Sequence, residues 1–185
     1  MDRKILVCYQ GVTGFTKKYA EMIANEMNCA LMNLKDVTAQ TVSQYDIVVF
    51  GGRCFAGSID GLKKAKKLAA SGGKKTFVVF ATGATPNAAE EVIQSVWERN
   101  FAVDELQRIP RFYMQGGLCY EKMPWHEKLM MKAFATVMKA KIGSKKEKAE
   151  EDREFERMIS GSYDISSKEY IEPLVSCLKE KGTQN

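Results

Sequence analysis

Apolar and polar positions alternate along the first two thirds of the chain in blocks, and each block has a recognisable period. Lys4-Ile-Leu-Val-Cys-Tyr9 is a continuous apolar run, the pattern of a strand buried on both faces of a parallel sheet. After an interruption at Gly11-Val-Thr-Gly-Phe-Thr16, Tyr19, Met22, Ile23, Glu26 and Met27 fall at helical spacing. Ala30–Leu34 reads as a short second strand. Asp46–Phe50 reads as a third strand ending at Gly51-Gly52, and Thr76–Phe80 as a fourth ending near Gly83. A lysine-rich helix, Leu62–Ala70, lies between these two, with Lys63, Lys64, Lys66 and Lys67 on it. A helix over Ala88–Asn100, capped by Thr85 or Asn87, and a fifth strand over Arg111–Gln115 complete the series. Strand and helix repeated from residue 4 to 115 predict a doubly wound α/β sheet.

Beyond Gly116-Gly117 the pattern changes. Pro124–Ile142 predicts one amphipathic helix, with Met130, Met131, Phe134, Val137 and Met138 on one face and Lys128, Lys132 and Lys139 on the other. A basic run (Lys139, Lys141, Lys145, Lys146, Lys148) then abuts an acidic one (Glu150, Glu151, Asp152, Glu154, Glu156). Ser166–Lys181 predicts a closing helix with Tyr170, Leu174 and Leu178 on one stripe. Ser166 and Glu169 stand at capping-box spacing, and Pro173 is expected to kink or shorten the helix. We expect one domain over residues 1–185, with 117–160 as a helical insertion or extension.

Composition narrows the function classes. The 185 residues suit one domain, and 45% hydrophobic with 28% charged residues excludes a disordered chain. The longest apolar runs fall short of the roughly 20 residues a spanning helix needs. The N-terminal apolar run reads as a strand and not as a targeting segment, so a cytoplasmic protein is expected. Five scattered cysteines (Cys8, Cys29, Cys54, Cys119, Cys177) with no C-x-x-C pair suit free thiols, and His126 is the sole histidine. A Cys/His zinc site and a Ser–His or Cys–His nucleophile pair are therefore not expected.

The chemistry concentrates in three segments that follow strands, where an open parallel sheet binds its ligands. Gln10, Gly11, Val12, Thr13, Gly14, Phe15 and Thr16 join strand one to helix one. Backbone amides and the helix dipole attract an anion there, glycines permit close approach, and the threonines add hydroxyls. There is no G-K-[ST] and no third glycine of G-x-G-x-x-G, so a single terminal phosphate fits better than a triphosphate or dinucleotide. A tight turn with capping threonines fits equally. The second segment, Gly51–Asp60, carries Arg53, Cys54, Phe55, Ala56 and Gly57; Phe55 could stack on a flat ring or fold back beneath the loop. The third, Thr82, Gly83, Ala84, Thr85, Pro86 and Asn87, is small and polar, suited to a heterocycle's edge or simply to starting a helix.

Tyr9–Thr16, with Thr13-Gly14-Phe15-Thr16 as its T-G-x-T core, together with the second and third segments resembles the three flavin mononucleotide loops of flavodoxins. The chain departs at Gly11, where many flavodoxins carry Ser or Thr, at Phe15, which replaces a usual asparagine, and in the third loop, which has no aromatic residue. A closer resemblance, to the branch that includes menaquinone-dependent protoporphyrinogen dehydrogenase, rests on three stretches. These are Gly51–Gly57, Gly117-Leu-Cys-Tyr-Glu-Lys with Lys128-Leu-Met-Met-Lys132, and Tyr163-Asp-Ile with Lys168-Glu-Tyr-Ile-Glu-Pro173. The resemblance implies a five-stranded parallel sheet of order 2-1-3-4-5, with helices on both faces and an added amphipathic helix after strand five. It further implies FMN with its phosphate on Gly11–Thr16, its isoalloxazine against Phe55–Gly57 and its pyrimidine side bordered by Thr82–Asn87. A carbonyl near Ala56–Gly57 would then accept a hydrogen bond from reduced N5, the protein tuning a chemistry that belongs to the flavin.

Three functions follow as alternatives: an FMN-dependent oxidoreductase acting on a quinone or porphyrinogen, a noncatalytic electron carrier with a redox-protein partner, or an FMN-free interaction module. The net charge of +5 suits an anionic substrate or membrane surface better than the basic partners of acidic carriers. The 125–142 helix is expected to meet its own core, a dimer mate or the inner face of a membrane. No basic-aromatic interleaving points to nucleic acid.

Overall fold

The computed structural model describes residues 3–73, 75–144 and 149–183. Lys145, Lys146 and Lys148 of the basic run lie outside the described residues. Strands β1 (Ile5–Gln10), β2 (Ala30–Asn33), β3 (Ile47–Phe55), β5 (Thr76–Gly83) and β6 (Arg111–Gln115) form a parallel sheet in the order β2-β1-β3-β5-β6. β4 (Ser58–Ile59) pairs antiparallel with the end of β3. This is the expected 2-1-3-4-5 arrangement.

Helices α1 (Phe15–Met27) and α8 (Glu172–Thr183) cover one face of the sheet. The other is covered by α2 (Ala39–Ser43), α3 (Leu62–Ser71), α4 (Glu90–Asn100) and α5 (Val103–Arg108). Pleating sends successive residues of the continuous apolar runs to opposite layers. Ile5, Val7, Val49, Val78 and Phe80 pack with Tyr19, Ile23, Leu174 and Leu178, whereas Leu6, Cys8, Phe50, Val79 and Ala81 pack with Leu62, Val96 and Trp97. A chain segment leaving the sheet after β6 forms a second compact unit over Gly117–Ile165. It contains β7 (Gly117–Leu118) paired antiparallel with β8 (Tyr163–Asp164), and helices α6 (Trp125–Gly143) and α7 (Glu150–Met158).

Several local expectations give way. β3 does not stop at Gly51-Gly52 but runs through both glycines to Phe55. A Cβ on Gly51 would lie 2.0 Å from Phe80 Cζ, and one on Gly52 2.4 Å from Ile59 Cγ2, so these glycines admit neighbours rather than ending the strand. β5 likewise continues through Thr82 and Gly83. Neither Thr85 nor Asn87 caps α4, whose N-cap position is Ala89. Ser167, not Ser166, caps the turn before α8, accepting from Glu169 N at 3.3 Å. Pro173 occupies the first turn of α8, where a missing amide costs no intrahelical bond, so it starts the helix instead of kinking it. The 125–142 helix is apolar on more than the one face expected, because Lys128, Lys132 and Lys139 occupy one strip between two apolar arcs and Lys141 lies alone on the exposed arc.

Candidate functional site

Parallel register brings the three expected segments to one edge of the sheet. Gln10 lies opposite Gly52, Arg53 opposite Thr82, and Gly83 opposite Gln115. The carboxyl ends of four strands therefore converge where β1 hands the chain to α1.

That handover is the most open part of the site to an anion. Gly14 precedes α1 in the left-handed conformation (φ 100°), a position glycine adopts without strain. No side chain among the described residues caps α1, and its first intrahelical bond is Lys18 N to Gly14 O at 2.9 Å. The amides of Phe15, Thr16 and Lys17 are left with no intrahelical acceptor at the positive end of the helix dipole. The first turn carries no acidic residue to offset that field. Val12 is exposed, and Thr13 is half-buried beside it.

Thr16 behaves differently from a simple surface hydroxyl. It is 2% exposed, and its Oγ1 lies 2.7 Å from Thr82 Oγ1, itself on a residue 1% exposed. Two hydroxyls carry two protons and their mutual bond uses one; the other has no acceptor among the described residues. Gly11 packs directly over this pair, since a Cβ there would stand 2.7 Å from Thr16 Oγ1. A side chain at Gly11 would require the Thr16 side chain to shift. Phe15 takes no part in the amide turn with its ring, which packs against Gly116. Gln10 directs its Oε1 toward Gly61.

The second segment is a hairpin and not a free loop. Cys54 pairs with Ile59 and Phe55 with Ser58 across a turn in which Ala56 (φ 48°) and Gly57 (φ 77°) are both left-handed, as a two-residue hairpin turn requires. Asn100 holds the turn: its Nδ2 donates to Gly57 O at 2.7 Å and its Oδ1 accepts from Ile59 N at 3.1 Å. The Gly57 carbonyl already accepts from Asn100, which leaves its second lone pair for a ligand donor. The Arg53 guanidinium lies 5.0 Å from the Phe55 ring centroid, and its Nε donates to Asp60 Oδ2 at 2.7 Å. One face of that ring is therefore covered by a cation already paired with a carboxylate. Burial raises the Cys54 pKa, the Gly57 amide opposing it, so this residue stays a thiol.

In the third segment Thr82 and Gly83 are strand residues, while Ala84, Thr85, Pro86 and Asn87 form the turn. Asn87 N donates to Gln115 Oε1 at 3.1 Å, and Asn87 Oδ1 is buried without a hydrogen-bond partner. Such an acceptor is costly unless a ligand supplies a donor. Gln115 and Asn100, which fix the third and second segments, were not singled out from sequence. Nothing in their local spacing marks them, since each acts across the fold.

Tyr120 and Glu121 are engaged within the 117–165 unit, the phenol donating to Ile159 O at 2.8 Å and the carboxylate accepting from Ser162 at 2.6 Å. His126 is exposed beside Trp125. The five cysteines are free, and burial pushes the Cys8 thiol up to about 12. No cluster of metal-ligating side chains exists among the described residues.

An open parallel sheet of this strand order with helices on both faces defines a class, the doubly wound α/β domains. Within that class the chain belongs to the flavodoxin-domain family, whose model matches residues 6–147, and a flavodoxin domain implies a flavin cofactor. Solved structures with similarity include an archaeal flavodoxin, at 16% identity, covering 69% of this chain and 90% of that one, with a TM-score of 0.39. Flavodoxin 1 of Bacillus cereus matches at 19% identity, 69% and 90% coverage, and a TM-score of 0.38. A flavoprotein of Lactobacillus acidophilus solved in complex with FMN matches at 17% identity, 59% and 93% coverage, and a TM-score of 0.36. A search of curated proteins returns no match.

Proposed function

We propose that the flavin of this chain is FMN, held noncovalently with its phosphate on the Gly11–Thr16 turn, and that the protein works as an electron-transferring oxidoreductase. The uncapped amide turn at the N-terminus of α1 carries this reading, since it offers donors to a terminal phosphate at the edge where the family binds flavin. The residues fit the group in two further ways. With Thr82 donating to Thr16, the Thr16 proton is left for a phosphate oxygen, and the orphaned Asn87 Oδ1 can accept from the imide edge of a flat heterocycle. FMN when bound supplies one- or two-electron chemistry; the chain's own part is to grip the phosphate, orient the ring and limit its exposure to water.

Titration of apoprotein with FMN and with riboflavin, followed by flavin absorption and fluorescence, tests the reading. FMN should bind at least about tenfold more tightly, because the two differ only in the phosphate and one charge-assisted hydrogen bond is worth that much. Equal affinities would remove the phosphate from this turn.

A second reading, that the protein turns over a quinone or porphyrinogen by itself, follows from the third segment. Ala84, Thr85, Pro86 and Asn87 offer no aromatic side chain to cover the ring, leaving that side open to a second planar molecule. It accords with the resemblance to the protoporphyrinogen dehydrogenase branch. Reduction of menadione by the FMN-loaded protein without a protein partner separates this enzyme from a carrier.

A further inference from the structure

Helix α6 carries apolar residues on two opposite sides. Ala135 and Ile142 are buried and Met131 and Met138 half-buried, a stripe repeating every three or four residues on the side packed within its own unit. Across the helix lie Leu129 (63% exposed), Met130 (52%), Phe134 (45%) and Val137 (64%), with Trp125 (78%) at the N-terminal end. A helix of this kind needs something to cover the second arc. At 19 residues it is about 28 Å long, but it cannot cross a bilayer, because no described helix is apolar enough.

Charge identifies the cover. Lys128, Lys132 and Lys139 form the strip between the two arcs and line a cavity of about 460 Å³ together with Glu121 and Thr136. Among the described residues none of the three ammoniums is in a hydrogen bond or a close ion pair, and only Lys128 lies near enough to Glu121 to favour its ionised form. Glu127, the sole carboxylate on α6, is buried. A second copy of the helix laid against this face would set lysines beside lysines with no exposed carboxylate to pair them. An anionic lipid surface meets both needs, since lysine stems can run along the apolar arc while their ammoniums reach lipid phosphates.

We infer that α6 docks on the surface of an anionic bilayer, with Leu129, Met130, Phe134 and Val137 in the acyl boundary and Lys128, Lys132 and Lys139 at phosphate level. Trp125 sits where an indole ring prefers the headgroup region.

Sedimentation with vesicles of phosphatidylglycerol and phosphatidylcholine in equal parts tests this, with tryptophan emission as second readout. Trp97 is buried, so a blue shift on vesicle addition reports Trp125. The protein should bind these vesicles, bind pure phosphatidylcholine far more weakly, and release as salt is raised. Replacing Lys128, Lys132 and Lys139 by Gln should weaken binding roughly a hundredfold, the weight of three lysines near an anionic surface. Replacing Met130, Phe134 and Val137 by Gln should abolish it. All six side chains are at least partly exposed, and unchanged thermal unfolding of each variant confirms that the fold is kept. Absence of sedimentation with anionic vesicles overturns the inference, as does equal binding to neutral vesicles or by the Gln variants. A dimer dissolved by the apolar substitutions, with no vesicle binding, would assign the face to a second copy instead.

Discussion

Substituting the buried Thr16–Thr82 hydroxyl pair separates ligand binding from fold stability. Thr16→Val or Thr82→Val alone leaves the remaining hydroxyl inside the protein without its 2.7 Å partner. At 2% and 1% exposure water reaches little of either side chain, so each single variant should lose about 1–3 kcal/mol in urea unfolding of the apoprotein. The double Val variant leaves no orphan, keeps the shape of both side chains, and should recover most of that loss. FMN affinity should follow another order. Thr16→Val and the double variant both remove the donor nearest the amide turn and should bind FMN at least about tenfold more weakly. Thr82→Val, which only stops polarising Thr16, should lie between them and wild type. A double variant that regains stability and binds FMN as tightly as wild type would refute the reasoning, and the pair would then be a strut between α1 and β5.

Gly51→Ala forces a Cβ to within 2.0 Å of the buried Phe80 ring; it should lose about 3 kcal/mol or fail to fold, measured by urea unfolding, with Phe80→Leu restoring part of it. Asn100→Ala removes both ties to the β3–β4 hairpin and should cost about 2 kcal/mol, with faster amide exchange at Ile59 and little change elsewhere. Burial opposes ionisation of Glu105, but the Lys66 ammonium at 2.5 Å and the Ala102 amide outweigh it and hold the carboxyl below its usual pKa. Its contribution is therefore complete above the unfolded carboxylate pKa of about 4.3 and is lost as pH falls through the lower folded value. Melting temperature against pH should drop less steeply below about pH 4 in Glu105→Gln than in wild type.

The apolar starts of the central strands were legible because a parallel strand covered on both faces is apolar at nearly every position, and β1 matches its expected limits within a residue, as does the edge strand β6. α2 and α5 were not, since helices of 5 and 6 residues are too short to establish a period. The continuation of β3 through Gly51-Gly52 was hidden for another reason: the ring that makes glycine necessary belongs to Phe80, on a different strand. At the site, the amide turn was readable from Gly11, Gly14 and the threonines. The inward turn of Thr16, the Arg53 cover over Phe55 and the Asn100 clamp depend on partners that sequence spacing does not bring together.

Tyr19 reaches from α1 to both points at which the chain leaves and rejoins the sheet domain. Its phenol donates to Gln115 O and accepts from Ser167 N at 3.2 Å. A chain that departs from and comes back to a single phenol behaves as a side branch on a finished trunk. Excising residues 117–165 and bridging the stumps with a short glycine-serine joint should therefore leave the trunk able to fold, making this the natural graft point for exchanging branches between relatives.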